Sequence, residues 1–340
     1  MDLREQKFGI EIEMTGLTRQ RAAVVIAEHF GTAAQYGGTH YDEFYALDGQ
    51  GRKWKVMSDG SIDCQRKVDG RRVPADSSYS VEFVSPICTY DDIPTIQQLV
   101  RELRYAGGLV NASTGIHIHI DAAPFDAPKL RNLVNIAASK EDLIYKALRV
   151  GQARERYCKK MDSRFLDEIN RKKPQTMEEL KNIWYEGTDG SYQKYHRSRY
   201  RAVNLHSVFQ KGTIEIRAFN SQMHAGVIKA YIQFCLAITA QAYNQKSARP
   251  AKTVSDNEKY TFRVWLLRLG LIGDEFKTAR SHLLKNLEGN IAWKDPAQAL
   301  RQKERMQARR EMERFEQQEV EAGPVQEPEE DAAPGFTMSM

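Results

Sequence analysis

The sequence is poor in anything that would cross-link it. Its four cysteines, Cys64, Cys88, Cys158 and Cys235, lie far apart, and none belongs to a Cys-x-x-Cys pair. That spacing excludes a zinc knuckle and a thioredoxin-like motif, and it suits a reducing compartment. Cys88 and Cys235 stand among apolar residues and are expected as buried thiols. Met1-Asp2-Leu3-Arg4-Glu5 lacks the apolar core of a signal peptide. The longest apolar run, Val227 to Ala242, is broken by Lys229, Gln233 and Gln241, which predicts a buried helix and no membrane span. There is no internal repeat. A cytoplasmic protein without a membrane partner is expected.

With 340 residues, 41% of them hydrophobic, the chain is long enough for one large domain or two modest ones. Its formal charge is +5, but four acids and no base follow Gly323, which leaves +9 on the rest. A basic body suits an anionic small molecule such as a nucleotide, but charge alone favours a solvated basic surface.

Phe8 to Met14 alternates and predicts a strand. Thr18 caps a helix running to Phe30, with Gly31 after it. Short strands and turns follow from Tyr36 to Ser85, with Asp48-Gly49, Asp59-Gly60 and Asp69-Gly70 as turn signals. Val81 to Val84 is a strand stopped by Pro86. Further elements are a helix over 91–105, a strand over Ile116 to Asp121 and a long helix from Asp126 to about Val150. Arg201 to Val208 and Thr213 to Phe219 are expected as a hairpin, followed by a helix over Val227 to Tyr243. This order lacks regular βα alternation. It predicts an α+β fold with a mainly antiparallel sheet backed by helices. The expected divisions are 1–245 as the main domain, 246–295 as a helical extension, 296–322 as a charged helix and 323–340 as a disordered acidic tail.

Four strands share one pattern. In Gly9-Ile10-Glu11-Ile12-Glu13 the isoleucines face one way and both glutamates the other. In Ile116-His117-Ile118-His119-Ile120-Asp121 the isoleucines again oppose the polar residues. Thr213-Ile214-Glu215-Ile216-Arg217 places Glu215 and Arg217 together, and Val81-Glu82-Phe83-Val84 presents Glu82 alone. Each strand, taken singly, reads equally as half exposed to solvent. A solvent face, however, would mix Thr, Lys, Ser and Gln. If the strands are neighbours, stacked carboxylates repel unless cations lie between them. Carboxylates with one or two histidines favour Mg²⁺ or Mn²⁺ over Zn²⁺. Arg197, Arg199 and Arg201 alternate before Val203-Asn204-Leu205, as forks that match phosphate or as a basic edge.

Taken in order, Gly9-Ile10-Glu11-Ile12-Glu13, Asp59-Gly60-Ser61, Glu82-Phe83-Val84-Ser85-Pro86, Thr114-Gly115-Ile116-His117-Ile118-His119, Arg201 with Asn204-Leu205, and Thr213-Ile214-Glu215-Ile216-Arg217 resemble the motif series of the amidoligase family. That family belongs with the glutamine synthetase and glutamate–cysteine ligase superfamily. The resemblance implies a glutamine synthetase-like sheet that cups ATP and Mg²⁺. It makes Glu11, Glu13, Glu82, His117 and Glu215 metal ligands. It gives Arg201 and Arg217 to the phosphates and makes Asp59 an acid near the amine site. Ser61, His119, Arg199 and Asn204 join the nucleotide contacts. The activity implied is an ATP-dependent ligation of a carboxylate to an amine through an acyl phosphate, with a small-molecule or peptide carboxylate as one partner. Two other readings stay open: a metal-dependent hydrolase built on His117, His119 and Asp121, and a non-catalytic nucleotide-binding protein. Nucleic acid is disfavoured as a partner, because so many acidic side chains would repel its backbone. Oligomeric state and substrate identity are not legible.

Overall fold

The computed structural model describes residues 1–322; the expected acidic tail, 323–340, lies outside the described residues. The chain divides into two compact units, Met1–Gly289 and Asn290–Met340. The second contains one long helix, Pro296–Ala322. Everything below concerns the first.

Ten strands form there: β1 (Phe8–Met14), β2 (Gln35–Tyr36), β3 (Phe44–Leu47), β4 (Lys53–Met57), β5 (Gln65–Val68), β6 (Arg71–Pro74), β7 (Val81–Val84), β8 (Gly115–Asp121), β9 (Val203–Asn204) and β10 (Thr213–Asn220). Eight of them make one antiparallel sheet in the order β2-β3-β4-β7-β1-β8-β10-β9, and β5 with β6 makes a separate hairpin. Asp69 and Gly70 both take positive φ between β5 and β6, as the turn signal requires. The expected α+β fold with an antiparallel sheet is thus observed.

The sheet's apolar face carries Phe8, Ile10, Ile12 and Met14 from β1 and Ile116, Ile118 and Ile120 from β8, all nearly inaccessible. Each such side chain contributes roughly 1.5–3 kcal/mol by leaving water. Behind them the helix Ala225–Asn244 packs on β8, flanked by Ile93–Tyr105 and Ala127–Leu148. That central helix has the length and hydropathy of a membrane span, yet 83% of its apolar window is buried inside the protein. Caps set several ends as expected. Thr18 accepts from Arg21 N, and Gly31 adopts the left-handed conformation that closes the helix Arg19–Phe30. Asp126 accepts from Lys129 N at the start of Ala127–Leu148. The 246–289 segment joins the same core: Phe262 and Trp265, on the helix Glu258–Arg268, pack against Phe234.

One expected element is different. Only Val203–Asn204 of the stretch 201–208 is strand; His206–Lys211 is a helix that returns through left-handed Gly212 into β10. The Asn204 amide oxygen accepts from His206 N and starts this turn, so a side chain diverts the backbone from the ladder.

The sheet and its loops curl. Tyr41 precedes β3 and Lys194 precedes β9, near opposite ends of the strand order. Flat, those two strands would lie about 29 Å apart. Instead the Lys194 ammonium hydrogen-bonds the Tyr41 hydroxyl and sits 4.4 Å from its ring centroid.

A candidate metal and phosphate centre

The register of four adjacent strands assembles the polar face. Glu13 of β1 pairs with Glu82 of β7, and Glu11 of β1 with His117 of β8. On the far side of β8, His119 pairs with Glu215 of β10, which itself pairs with Asn204 of β9. The antiparallel ladder with period-two side chains therefore stacks every chemically distinctive residue on one side and every isoleucine on the other. A bulge completes the set. Ile216 pairs with Ile118 but Phe219 pairs with Ile116, so β10 holds one extra residue. The extra residue lets Phe219 reach the apolar side, where it stacks on Tyr231 at 4.4 Å, while Glu215 and Arg217 stay on the polar side.

His117 lies at the centre. Its Nδ1 is 3.1 Å from Glu11 Oε2 and 3.7 Å from Glu215 Oε1, and its Nε2 is 3.7 Å from Glu13 Oε1. His119 Nε2 lies 3.3 Å from Glu11 Oε1, while its Nδ1 meets Thr213 Oγ1 at 2.9 Å. Glu215 is held from both sides, by the Arg217 guanidinium and by Asn204 Nδ2 at 2.5 Å. Glu13 Oε2 accepts the Gly115 N–H at 2.6 Å. Lys211 reaches the rim, 3.9 Å from Glu11 Oε1.

The electrostatics are those of a site crowded with negative charge. Burial pushes Glu11 upward, but the nearby charge of His119 and the hydrogen bond with His117 bring it well below the ordinary carboxylate range. Glu215 also resists burial and falls to about 2, chiefly through Arg217. Glu82 has no such partner. Burial, then the charges of Glu11, Asp59 and Glu13, raise it well above the ordinary value. Four carboxylates thus face two buried guanidiniums, Arg217 and Arg154.

Two overlapping trios have the geometry of cation sites: Glu11, His117 and Glu215, and Glu13, Glu82 and His117, each with its ligand atoms within 4.8 Å of one another. The ring atoms His117 Nε2 and His119 Nε2 are buried and have no hydrogen-bond partner among the described residues. Excess carboxylate and unspent imidazole nitrogen are what a divalent cation satisfies, and oxygen-rich donors suit Mg²⁺ or Mn²⁺. The donors fit such ions. A neutral imidazole has one lone pair, so His117 can ligate in only one trio at a time.

Other expected residues lie outside this group. Asp59 is half-buried in the turn after β4, near enough to raise Glu82, and accepts from Ser61 N and Oγ at 2.7 and 2.5 Å. Arg201 is not brought to the cluster. Its guanidinium lies 5.0 Å from Phe165 and 4.9 Å from Trp184, against a cavity of about 450 Å³. Arg201 lies outside β9, beyond a bend at Ala202, and bridges Lys159, so the register that turns Asn204 towards Glu215 does not extend to it. Arg199 donates to the Lys194 carbonyl at 3.2 Å and lies over Tyr195 and Tyr200. Asp121, the last member of the histidine strand, accepts from Ala123 N at the strand end and does not reach the trios.

Sequence reasoning missed Arg154. It lies on the short helix Gln152–Glu155, in a stretch without alternation or motif, and its Nη1 is 3.6 Å from Glu13 Oε2. A glycine opening the β8 strand was its one available signal.

Among solved structures five chains match. One is the crystal structure of a bifunctional glutathione synthetase from Pasteurella multocida, 12% identical with a TM-score of 0.40, covering 83% of this chain and 47% of that one. The chain therefore spans about half the length of that protein. No curated protein matches. Residues 4–239 match the model of a family described as "Putative amidoligase enzyme". That span carries every residue of the polar cluster and takes in the greater part of the sequence, and the chain belongs to this amidoligase family.

Proposed function

We propose that the protein is an ATP-dependent ligase that joins a carboxylate to an amine, forming an amide with release of ADP and phosphate. The carrying observation is the single polar face on which Glu11, Glu13, Glu82, His117 and Glu215 converge beside Arg217. In this reaction the γ-phosphoryl group of ATP is transferred to a carboxylate oxygen and ADP leaves as the acyl phosphate forms. The amine nitrogen then bonds to the acyl carbon. The carbon–oxygen bond to phosphate breaks, and a base takes the amine proton. Mg²⁺, or Mn²⁺ in its place, would supply charge neutralisation at the phosphates.

The chain's own residues take the remaining roles. The four carboxylates and His117 would hold the cations. Arg217, fixed by Glu215, would present its fork to the transferring phosphoryl group. Asn204 orients Glu215, and Thr213 orients His119. Asp59, at the edge beside Glu82, is assigned to the amine, and Ser61 to the same turn. Arg199 and Arg201 make no contact with the cluster and are given no part in this reading. The hydrolase reading has less support: His206 bonds Tyr185, His196 bonds Ser198 and His224 caps a helix, so none adds to the two strand histidines. The test is a screen of carboxylates with Mg²⁺-ATP and hydroxylamine, reading ADP and hydroxamate. ADP formation that depends on both the metal and a carboxylate is expected; turnover that needs metal but no nucleotide would overturn the proposal.

A further inference from the structure

Arg154 is 4% exposed, and no polar group among the described residues fully engages it. Its Nε and Nη2 are buried without a hydrogen-bond partner among the described residues. Its nearest carboxylate, Glu13, stands 3.6 Å from Nη1, beyond hydrogen-bonding range, with Oε2 already accepting the Gly115 N–H. A structural arginine in this same protein looks different. Arg52 spends its fork on Asp48 at 2.8 Å and on Asp92 at 2.8 and 3.0 Å. Burying a guanidinium costs several kcal/mol unless its donors are matched. Arg154 is therefore a fork held ready on the polar side of the sheet.

Gly115 shows that the seat is built. A Cβ there would lie 2.0 Å from Arg154 Nη2, 2.2 Å from Cζ and 2.4 Å from Nη1. The glycine has ordinary strand backbone, so no turn demands it; a Cβ there would push the guanidinium from its seat. Arg154 and Arg217 also flank one residue: Arg154 lies 6.0 Å from the Tyr157 ring centroid, and Arg217 Nε donates to the Tyr157 carbonyl at 3.4 Å. Beside this pair stands the Glu13, Glu82 and His117 trio.

We infer that Arg154, seated on Gly115, forms an anion subsite at the Glu13 end of the polar face that takes a phosphate-type oxyanion. A tetrahedral oxyanion has oxygens enough to meet a guanidinium fork and a neighbouring cation at once, which a single carboxylate does not. Only the carrier of that phosphate, the end of a nucleotide chain, rests on the ligase reading.

Calorimetry with Mg²⁺-ATP, Mg²⁺-ADP, and inorganic phosphate with Mn²⁺ tests it in the full-length chain. Arg154→Gln and Gly115→Ala should each weaken Mg²⁺-ATP binding by about 10- to 100-fold, the value of charge-assisted hydrogen bonds. Mn²⁺ affinity in the absence of nucleotide should be retained. The double variant should bind no more weakly than the weaker single, because both changes remove one contact. Arg154→Lys keeps the charge facing Glu13 and loses the fork, so it should recover binding in part; it also keeps the test open if the glutamine variant does not fold. An equal loss of Mg²⁺-ADP would move the contacted group from the γ- to the β-phosphate and leave the subsite in place. Unchanged Mg²⁺-ATP affinity in folded Arg154→Gln and Gly115→Ala would overturn the subsite while sparing the ligase. If the wild type binds no nucleotide, the ligase reading fails. Mn²⁺-supported phosphate binding that Arg154→Gln abolishes would then still uphold the subsite, and its absence from the wild type would overturn that too.

Discussion

Glu82 and Glu11 are the same residue type on neighbouring strands, and their surroundings push them in opposite directions. Glu11 is paired with two imidazoles; for Glu82, burial and the charges of Glu11, Asp59 and Glu13 outweigh the opposing charge of Lys211. A cation at the Glu13, Glu82 and His117 trio competes with protonation of Glu82, whose carboxyl is shifted upward. Cation affinity should therefore rise with pH, and Mn²⁺ binding should release protons, which calorimetry in buffers of different ionisation enthalpy will measure. Binding without proton release between acidic and neutral pH would show that Glu82 is not a ligand. Glu11→Ala and Glu215→Ala should each abolish Mg²⁺-dependent nucleotide binding while far-UV circular dichroism stays unchanged, since a polar face serves chemistry more than packing. Retained affinity in both variants would remove the trio from the mechanism.

Among the elements, the β3–β4 connection carries an ionic network that supports the sheet from its edge. Buried Asp48 accepts from Trp54 Nε1 at 2.9 Å and from the Arg52 fork, which also binds Asp92. Burial raises the Asp48 carboxyl, but the Trp54 and Arg52 hydrogen bonds lower it below its ordinary value. A carboxyl depressed in the folded state stabilises above its unfolded pKa and loses that contribution as pH falls through the folded one. Asp48→Ala should cost about 1–3 kcal/mol at neutral pH, because it leaves the buried Trp54 indole N–H unpaired and takes away one of the two carboxylates that Arg52 binds. Urea melts should show the cost shrinking below about pH 4. A cost that persists undiminished in acid would mean packing, not charge, is lost. The segment 246–289 offers a second test: Phe262, fully buried, lies in the same core as Phe234. Phe262→Ala should cost about 3–5 kcal/mol within a single cooperative transition, and a separate early transition would show that this segment folds as its own subdomain.

For the molecule as a whole, the arrangement of carboxylates and guanidiniums predicts the nucleotide product. Groups that clamp terminal phosphates lead to ADP, and release of AMP with pyrophosphate would rule out the proposed route. Arg217→Ala should lower hydroxamate trapping by about 10³, and Arg217→Lys should recover little of it. Alternation in the sequence already separates Glu11, Glu13, His117, His119 and Glu215 from the isoleucines, because a strand's period of two is a local property. The amidoligase motifs follow from the same strands. Which strands become neighbours is not local: the pairing of Glu13 with Glu82 and of His119 with Glu215 is set by distant segments packing on one helical layer. The His206–Lys211 stretch turns helical because Asn204 captures a backbone N–H that a ladder would have used. Tertiary structure alone sends Arg201, beyond the start of β9, to Phe165 and Trp184, and brings Arg154 onto Gly115 from a helix that no motif marks. A side chain's facing is written in its neighbours along the chain, but its partners are chosen by segments that meet only when the core closes.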